Sequence, residues 1–378
     1  MKKILIFVDS LNEGGVTKVL LDLLENINRE KYDITVMTLY NQGVYISEVK
    51  QYARYTYCFN IPNFNDHSLK AELYRKYWGG MLRLPESFMY KCFVKEKYDI
   101  EIAFMHGWST KVISGSNNKK SKKIAWVHVD LVTWNRVDGV FKNLEHHKKA
   151  YSKFNEVICV SQTVKEGIEK KYNVKNARVL YNPINREKIL KLSKEKIDDI
   201  NLSNKFKLIS VGRLSEQKGY DRLLRVFKKL KNYVIDIELI LVGNGDKYNE
   251  LNKYIVENKL EKDVTLLGFK ENPYKYVRAS DLFVCSSISE GFSLVIGEAM
   301  AVGVPVVSVD CPGPNEILDY GKYGKLVNNS EEDLYNGIKE MINDRVLYEK
   351  YNNKSNERGK MFSISCFANK LETILDQN

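Results

Sequence analysis

The sequence predicts an α/β protein of two Rossmann-like, doubly wound domains. Three observations carry that expectation. Short apolar runs alternate with segments of helical period along the chain, the pattern of parallel strands covered by helices on both faces. The runs fall into two sets. Between the sets, 182-NPIN-185 places Pro183 directly after a strand-like run and breaks the chain there.

In chain order, the first set reads KILIFVD, YDITVMTL, IEIAFM, KKIAWVHV, EVICVS and ARVLYN. Helical segments TKVLLDLLENINRE and QTVKEGIEKKY lie between them, with apolar residues three and four apart. The second set reads KLISVG, IELILVG, VTLLGF, LFVCS and PVVSVD, with the helix YDRLLRVFKKLKNY after its first strand. In open parallel sheets ligands bind outside the carboxyl ends of the strands, so strand ends are where functional residues belong.

Bulk composition sets the class. The chain has 378 residues, 44% of them hydrophobic, enough for two cored domains. Six scattered cysteines without a CxxC pair read as buried small hydrophobes of a reducing, cytoplasmic setting. MKKILIFVDS reads as a first buried strand, its apolar run too short for a signal peptide, and no uncharged apolar run of membrane-spanning length occurs. The net charge of +11 is uneven. Residues 1–185 hold 29 Lys and Arg against 19 Asp and Glu, while the remainder is nearly balanced. That asymmetry points to an anionic partner surface on the first half.

Candidate residues follow at the strand ends. Gly14-Gly15 opens a helix after the first strand, where small residues let a ligand approach the backbone. His128 ends IAWVHVD with Asp130 close by, and His106 in FMHGW is a second, weaker strand-end histidine. His146 and His147 lie in a charged helical stretch and read as solvated. In the second half, Gly212-Arg213 follows a strand, and Lys218 comes five residues later before a helix. Arg as a fork and Lys as a point charge suit a diphosphate. GNGDKY at 243–248 has two glycines of a dinucleotide fingerprint, but Tyr248 replaces the third, so a simple glycine turn suffices.

The stretch 289-SEGFSLVIGEAMAVGVPVVSV-309 is apolar except for Glu290 and Glu298, and neither has a Lys or Arg within eight residues. A carboxylate in such surroundings needs partners. Ser293 reads as the cap of a helix over 294–302, with Gly303 and Pro305 after its end. Glu290 then precedes the helix, Glu298 lies within it, and the first N–H groups, of Leu294 and Val295, face an anion. Two carboxylates flanking such donors fit a ligand with hydroxyls at both ends and phosphate between.

EGFSLVIGE resembles the E-x7-E motif of the retaining glycosyltransferase family 4, of bacterial polysaccharide type, whose members have the GT-B fold. GRLSEQKGYDRLL, LVGNGDKYNEL, the run from LLGFKENPYKYV to GVPVV, and GPNEIL match that family's second domain in order; GG near the start and His128 match its first. The resemblance implies two domains facing each other across a cleft. Residues 1–184 would form the acceptor side, 185–361 the donor side, and a helix over 362–378 would cross back. It implies that Arg213 and Lys218 hold the donor diphosphate and that Glu290 holds hydroxyls of the donor sugar. It assigns Glu298 to the ribose, His128 to the sugar pocket, Gly15 and Gly212 to close approach, and the backbone at Phe269 and Lys270 to the base. Ser293, often Gly or Pro in the family, would adjoin the sugar pocket.

The implied reaction is hexosyl transfer from a nucleotide-diphosphate sugar, UDP rather than GDP, to a hydroxyl of a lipid-linked sugar acceptor in surface polysaccharide synthesis. No DxD occurs, so neither a metal nor a cofactor is expected, and front-face substitution would retain the configuration. An epimerase of the same fold, or a non-catalytic nucleotide-sugar binder, would carry the same donor residues. No nucleic-acid recognition motif is present to explain the charge. Residues 68–98 mix basic and aromatic residues: either they form a covered helix with aromatic core contacts, or with KKSKK at 119–123 they would seat the first half peripherally on the anionic inner face of the cell membrane.

Overall fold

The computed structural model describes residues 1–12, 14–60, 68–132 and 139–377. The chain forms two compact units, Met1–Tyr181 with the C-terminal residues from Ser365, and Asn182–Ile364. The first unit contains β1 (Lys2–Val8), α1 (Gly15–Asn26), β2 (Tyr32–Tyr40), α2 (Ile46–Tyr52), β3 (Arg54–Phe59), α3 (Leu69–Leu82) and α4 (Glu86–Phe93). It continues with β4 (Ile100–Ala103), α5 (Trp108–Ser114), β5 (Lys122–Val127), α6 (Leu144–Tyr151), β6 (Glu156–Cys159), α7 (Gln162–Tyr172) and β7 (Ala177–Val179). Its strands make one parallel sheet in the order β3-β2-β1-β4-β5-β6-β7.

The second unit contains α8 (Arg186–Leu192), β8 (Phe206–Val211), α9 (Tyr220–Lys231), β9 (Ile237–Val242), α10 (Tyr248–Glu257), β10 (Val264–Gly268), α11 (Tyr274–Arg278) and β11 (Leu282–Cys285). Then come α12 (Leu294–Ala301), β12 (Val306–Val309), α13 (Pro314–Ile317), β13 (Lys325–Val327), α14 (Glu331–Asn343) and α15 (Arg345–Lys360). The sheet is parallel in the order β10-β9-β8-β11-β12-β13. The last helix, α16 (Ile364–Asp376), packs on the first sheet. Lys2 Nζ lies 3.0 Å from Asp376 Oδ1, and Lys122 Nζ donates to the Ile374 carbonyl at 2.7 Å.

The predicted α/β architecture is present, with two strands that the apolar pattern does not reveal. In β3, RYTYCF, only Phe59 is buried, because the strand sits at the sheet edge and one face stays wet. In β13 three residues are too few to show any period. His128 therefore follows the fifth strand of its sheet, where the sequence pattern counts a fourth.

Packing explains why these segments are helices. Along α9, Leu223, Leu224, Phe227 and Leu230 recur three and four apart and lie fully buried against β8, β9 and the α14 residues Leu334 and Ile338. Each such side chain contributes about 1.5–3 kcal/mol on burial. On the other face α12 is apolar nearly all round and is covered by α15. There a Cβ at Gly359 would lie 2.2 Å from the Met300 carbonyl oxygen, and Ser355 Oγ donates to the Val304 carbonyl at 2.7 Å. The strand orders reverse between β1 and β4 in one sheet and between β8 and β11 in the other. Those are the crevices where open parallel sheets take ligands.

Candidate active site

At the second crevice the loop after β8 and the loop after β11 are laced together. The Ile288 amide donates to the Gln217 carbonyl at 2.8 Å, and Gln217 Nε2 donates to the Ser289 carbonyl at 2.8 Å. Ser286 Oγ donates to the Lys218 carbonyl at 2.9 Å. Gly219 has a left-handed φ of +62°, and a Cβ there would stand 2.4 Å from the Ser286 carbonyl oxygen. Only glycine fits that crossing.

This lacing brings Lys218 and Glu290 together, 72 positions apart in sequence, with Nζ 2.5 Å from Oε1. Ser287 Oγ donates to the same carboxylate oxygen at 2.7 Å. Glu290 is buried at 8% exposure. Burial alone would lower the Lys218 pKa, but the charge of Glu290 outweighs it and holds the ammonium above its usual range. The lack of basic residues near Glu290 in sequence fits hydroxyl partners; the fold also brings Lys218 onto Glu290 itself. The aliphatic stem of Lys218 runs over Gly212, where a Cβ would lie 3.1 Å from Lys218 Cε. Arg213 follows and is exposed.

The neighbouring loops close up in the same way. A Cβ at Gly243 would meet the Gly212 carbonyl oxygen, and one at Gly245 would lie 2.3 Å from the Leu214 carbonyl oxygen. The glycines of GNGDKY thus serve loop-to-loop contact. Gly268, the last residue of β10, has φ +68°, and Phe269 after it is exposed. Lys270 Nζ is bound to Asp199 at 2.6 Å.

Two expectations for α12 are corrected. Ser293 stands at the N-cap position, but its side chain makes no capping bond and its buried Oγ has no partner among the described residues. Its ψ of 84° departs from the extended capping geometry. The Leu294 amide is not open: it donates to the Phe292 carbonyl at 3.1 Å, in a tight turn that precedes the helix. Val295 stands in the first turn, and Glu298 lies buried within α12. The helix ends at Ala301, one residue before the sequence pattern places it, and Gly303 follows with φ +82°.

At the first crevice Gly15 opens α1. Asp9, at the end of β1, accepts from the Ser109 amide at 3.1 Å and Ser109 Oγ at 2.7 Å. Burial pushes its pKa up to about 6 against those two bonds. His128 lies at 6% exposure, stacked on Trp126 with ring centroids 5.7 Å apart and beside Phe104. Neither ring nitrogen reaches a hydrogen-bond partner among the described residues. Burial, reinforced by neighbouring His106, lowers its pKa to about 3, so the ring is neutral near pH 7. Asp130 is turned to its own loop and accepts from the Val132 amide at 2.8 Å. His147, read from sequence as solvated, is buried and stacked on Phe141 at 3.9 Å, while His146 bonds to Glu86. The sequence pattern did not single out Asp9 and Ser109 at the first crevice or Ser287 at the second; for Ser287 the serine cluster 286-SSIS-289 at a strand end was a faint signal.

These features match known proteins. The pattern of the glycosyl transferases group 1 covers residues 192–359, and that of Glycosyltransferase Family 4 covers residues 13–188. The chain is 30% identical over 303 residues to an uncharacterized glycosyltransferase of Methanocaldococcus jannaschii, spanning 70% of this chain and 74% of that protein. It is 37% identical over 190 residues to the N-acetylgalactosamine-N,N'-diacetylbacillosaminyl-diphospho-undecaprenol 4-alpha-N-acetylgalactosaminyltransferase of Campylobacter jejuni, and that match spans half of each chain. The fold is similar to that of Anabaena Alr3699/HepE, solved in complex with UDP and glucose, with a TM-score of 0.77 at 20% identity over the whole of both chains.

Proposed function

The chain belongs to the glycosyltransferases of GT-B fold, and on that premise we propose that it moves a hexose from a UDP-sugar to a hydroxyl of a lipid-linked sugar acceptor. The setting is surface glycan synthesis, at the cytoplasmic face of the membrane. The observation that carries this reading is the Lys218–Glu290 pair, held between the β8 and β11 loops at the switch point of the second sheet. The Campylobacter relative, named for a diphospho-undecaprenol acceptor, supports the acceptor class. The UDP-bound structural neighbour supports the donor class. Among the described residues no helix is long and apolar enough to cross a membrane; in this reading the basic first half meets the lipid-linked acceptor by surface contact.

In this reading residues 185–361 take the donor, and residues 1–184 with the last helix take the acceptor. Lys218 and Arg213 neutralise the diphosphate as negative charge grows on the leaving oxygen, a role for preorganised cations that needs neither metal nor cofactor. Lys218 has three N–H donors, so it keeps Glu290 while engaging phosphate. Glu290, fixed by Lys218 and Ser287, orients hydroxyls of the transferred sugar. Glu298 takes the ribose hydroxyls, and Ser293, Leu294 and Val295 line the turn that meets the sugar and phosphates. Gly15 and Gly212 let the backbone approach the diphosphate, and Phe269 and Lys270 frame the base. Neutral His128 donates and accepts at the sugar. The acceptor oxygen bonds to the anomeric carbon on the face from which the diphosphate oxygen departs, breaking the C–O bond to phosphate, and the acceptor proton passes to that departing oxygen, so the anomeric configuration is retained.

The test is transfer from UDP-sugars by purified Glu290→Gln and Lys218→Met. Each is expected to lower kcat about 10²–10³-fold, the usual loss on removing a preorganised charge or donor. Full activity in either folded variant overturns the assignment.

A further inference from the structure

Arg222 lies in the first turns of α9, beneath the two loops of the donor site, and is 9% exposed. Its guanidinium donates mostly to backbone carbonyls. Nε and Nη2 donate to the Ser286 carbonyl at 2.7 and 2.5 Å, Nη2 also donates to the Ser287 carbonyl at 3.0 Å, and Nη1 donates to Asn329 Oδ1 at 2.6 Å. The nearby carboxylates are engaged elsewhere: Asp221 and Glu331 pair with Arg225, at 3.0 and 2.6 Å. Burial lowers the Arg222 pKa against weak opposing charges.

A buried guanidinium held by carbonyls is an expensive way to fill space. An apolar side chain of similar volume would serve the core at least as well. What the fork supplies is a fixed position for two consecutive carbonyls at the end of β11. Those carbonyls belong to Ser286 and Ser287. Ser286 Oγ is bonded to the Lys218 backbone, and Ser287 Oγ to the Glu290 carboxylate. The same Ser286 oxygen is the atom that Gly219 must avoid. Arg222 thus holds a segment that touches both Lys218 and Glu290.

We propose that Arg222 is a positioning residue for the donor site, fixing the Ser286–Ser287 backbone so that Lys218 and Glu290 present their charges in one geometry. The proposal rests on the reading of Lys218 and Glu290 as donor ligands. A planar fork is needed, because an ammonium cannot span two carbonyls and an amide oxygen at once.

The test is Arg222→Lys, which keeps the charge and loses the fork. Two readouts are taken from the full chain: steady-state kinetics with a UDP-sugar, and hydrogen exchange at the Ile288 amide, which is bonded to Gln217. The expected result is a tenfold or greater fall in kcat, with tenfold or faster exchange at Ile288 and unchanged exchange along β9. Wild-type exchange at Ile288 overturns the proposal. So does uniform acceleration across residues 182–364, the mark of a general stability role. Should Arg222→Lys fail to fold, the pair Asn329→Ala and Asn329→Asp decides, since only the second keeps the Nη1 acceptor. Faster exchange at Ile288 in Asn329→Ala alone supports the proposal, and equal exchange in the two overturns it. The exchange measurement needs no substrate, so absence of sugar transfer by the wild type would count against the functional reading and leave this test standing.

Discussion

Lys218 and Glu290 hold opposite charges 2.5 Å apart in a largely buried setting. Removing one member of such a pair leaves the other desolvated and unpaired, at a cost of about 3–5 kcal/mol, whereas removing both charges together is much less costly. Lys218→Met is therefore expected to destabilise the protein more than the double variant Lys218→Met with Glu290→Gln, read as urea midpoints. Additive losses in the double variant would show that the two charges do not interact. A second residue-scale prediction concerns His147. Burial lowers its pKa to about 3 in the folded state, from an ordinary 6.5. Between those values the unfolded chain binds the proton and the folded chain does not, so stability is present above pH 6.5 and is lost as pH falls below it. His106 and His128 act in the same direction, while Asp9, raised to about 6, acts in the opposite one. His147→Phe is expected to show a smaller drop in melting temperature between pH 6.5 and 5, by the equivalent of about 2 kcal/mol at most. An unchanged drop would contradict the buried, neutral assignment.

At the scale of elements, much was legible because burial on both faces writes long apolar runs into the sequence. β1, β8, β9 and β11 read directly for that reason, as did α9 with its three-and-four spacing. β3 and β13 did not, since an edge strand half in water and a three-residue strand leave no run to see. The candidate site was legible where a charge stands in an apolar stretch, as at Glu290 and Glu298, or a glycine at a strand end, as at Gly212. Its internal wiring was not. The pairing of Lys218 with Glu290 depends on β8 and β11 becoming sheet neighbours, which local periodicity does not encode. Nor does sequence reveal that the turn before α12 consumes the Leu294 amide or leaves Ser293 uncapped. The α12–α15 crossing gives a prediction of its own. A Cβ at Gly359 would lie 2.2 Å from backbone oxygen, not from the end of a flexible side chain, so Gly359→Ala is expected to cost about 1–3 kcal/mol as an overpacking defect. A melting temperature equal to wild type would show that the two helices yield without strain.

For the whole molecule, the basic excess lies in residues 1–185, while the Lys218–Glu290 pair, proposed to hold the donor, lies in the second unit. That division suits an enzyme whose acceptor is anchored in an anionic surface and whose donor is soluble. Co-sedimentation with anionic vesicles at low salt, lost at high salt through screening, is the expected behaviour, and no binding at low salt would reject surface attachment. Sugar transfer itself is tested most directly by incubating the purified protein with UDP-sugars and a lipid-linked sugar acceptor, and following acceptor mass and the anomeric configuration of the new linkage. One added hexose in the donor's own α configuration is expected, with UDP released, and loss of both in Lys218→Met. An inverted linkage, or conversion of the UDP-sugar to an epimer without acceptor, would contradict retaining transfer.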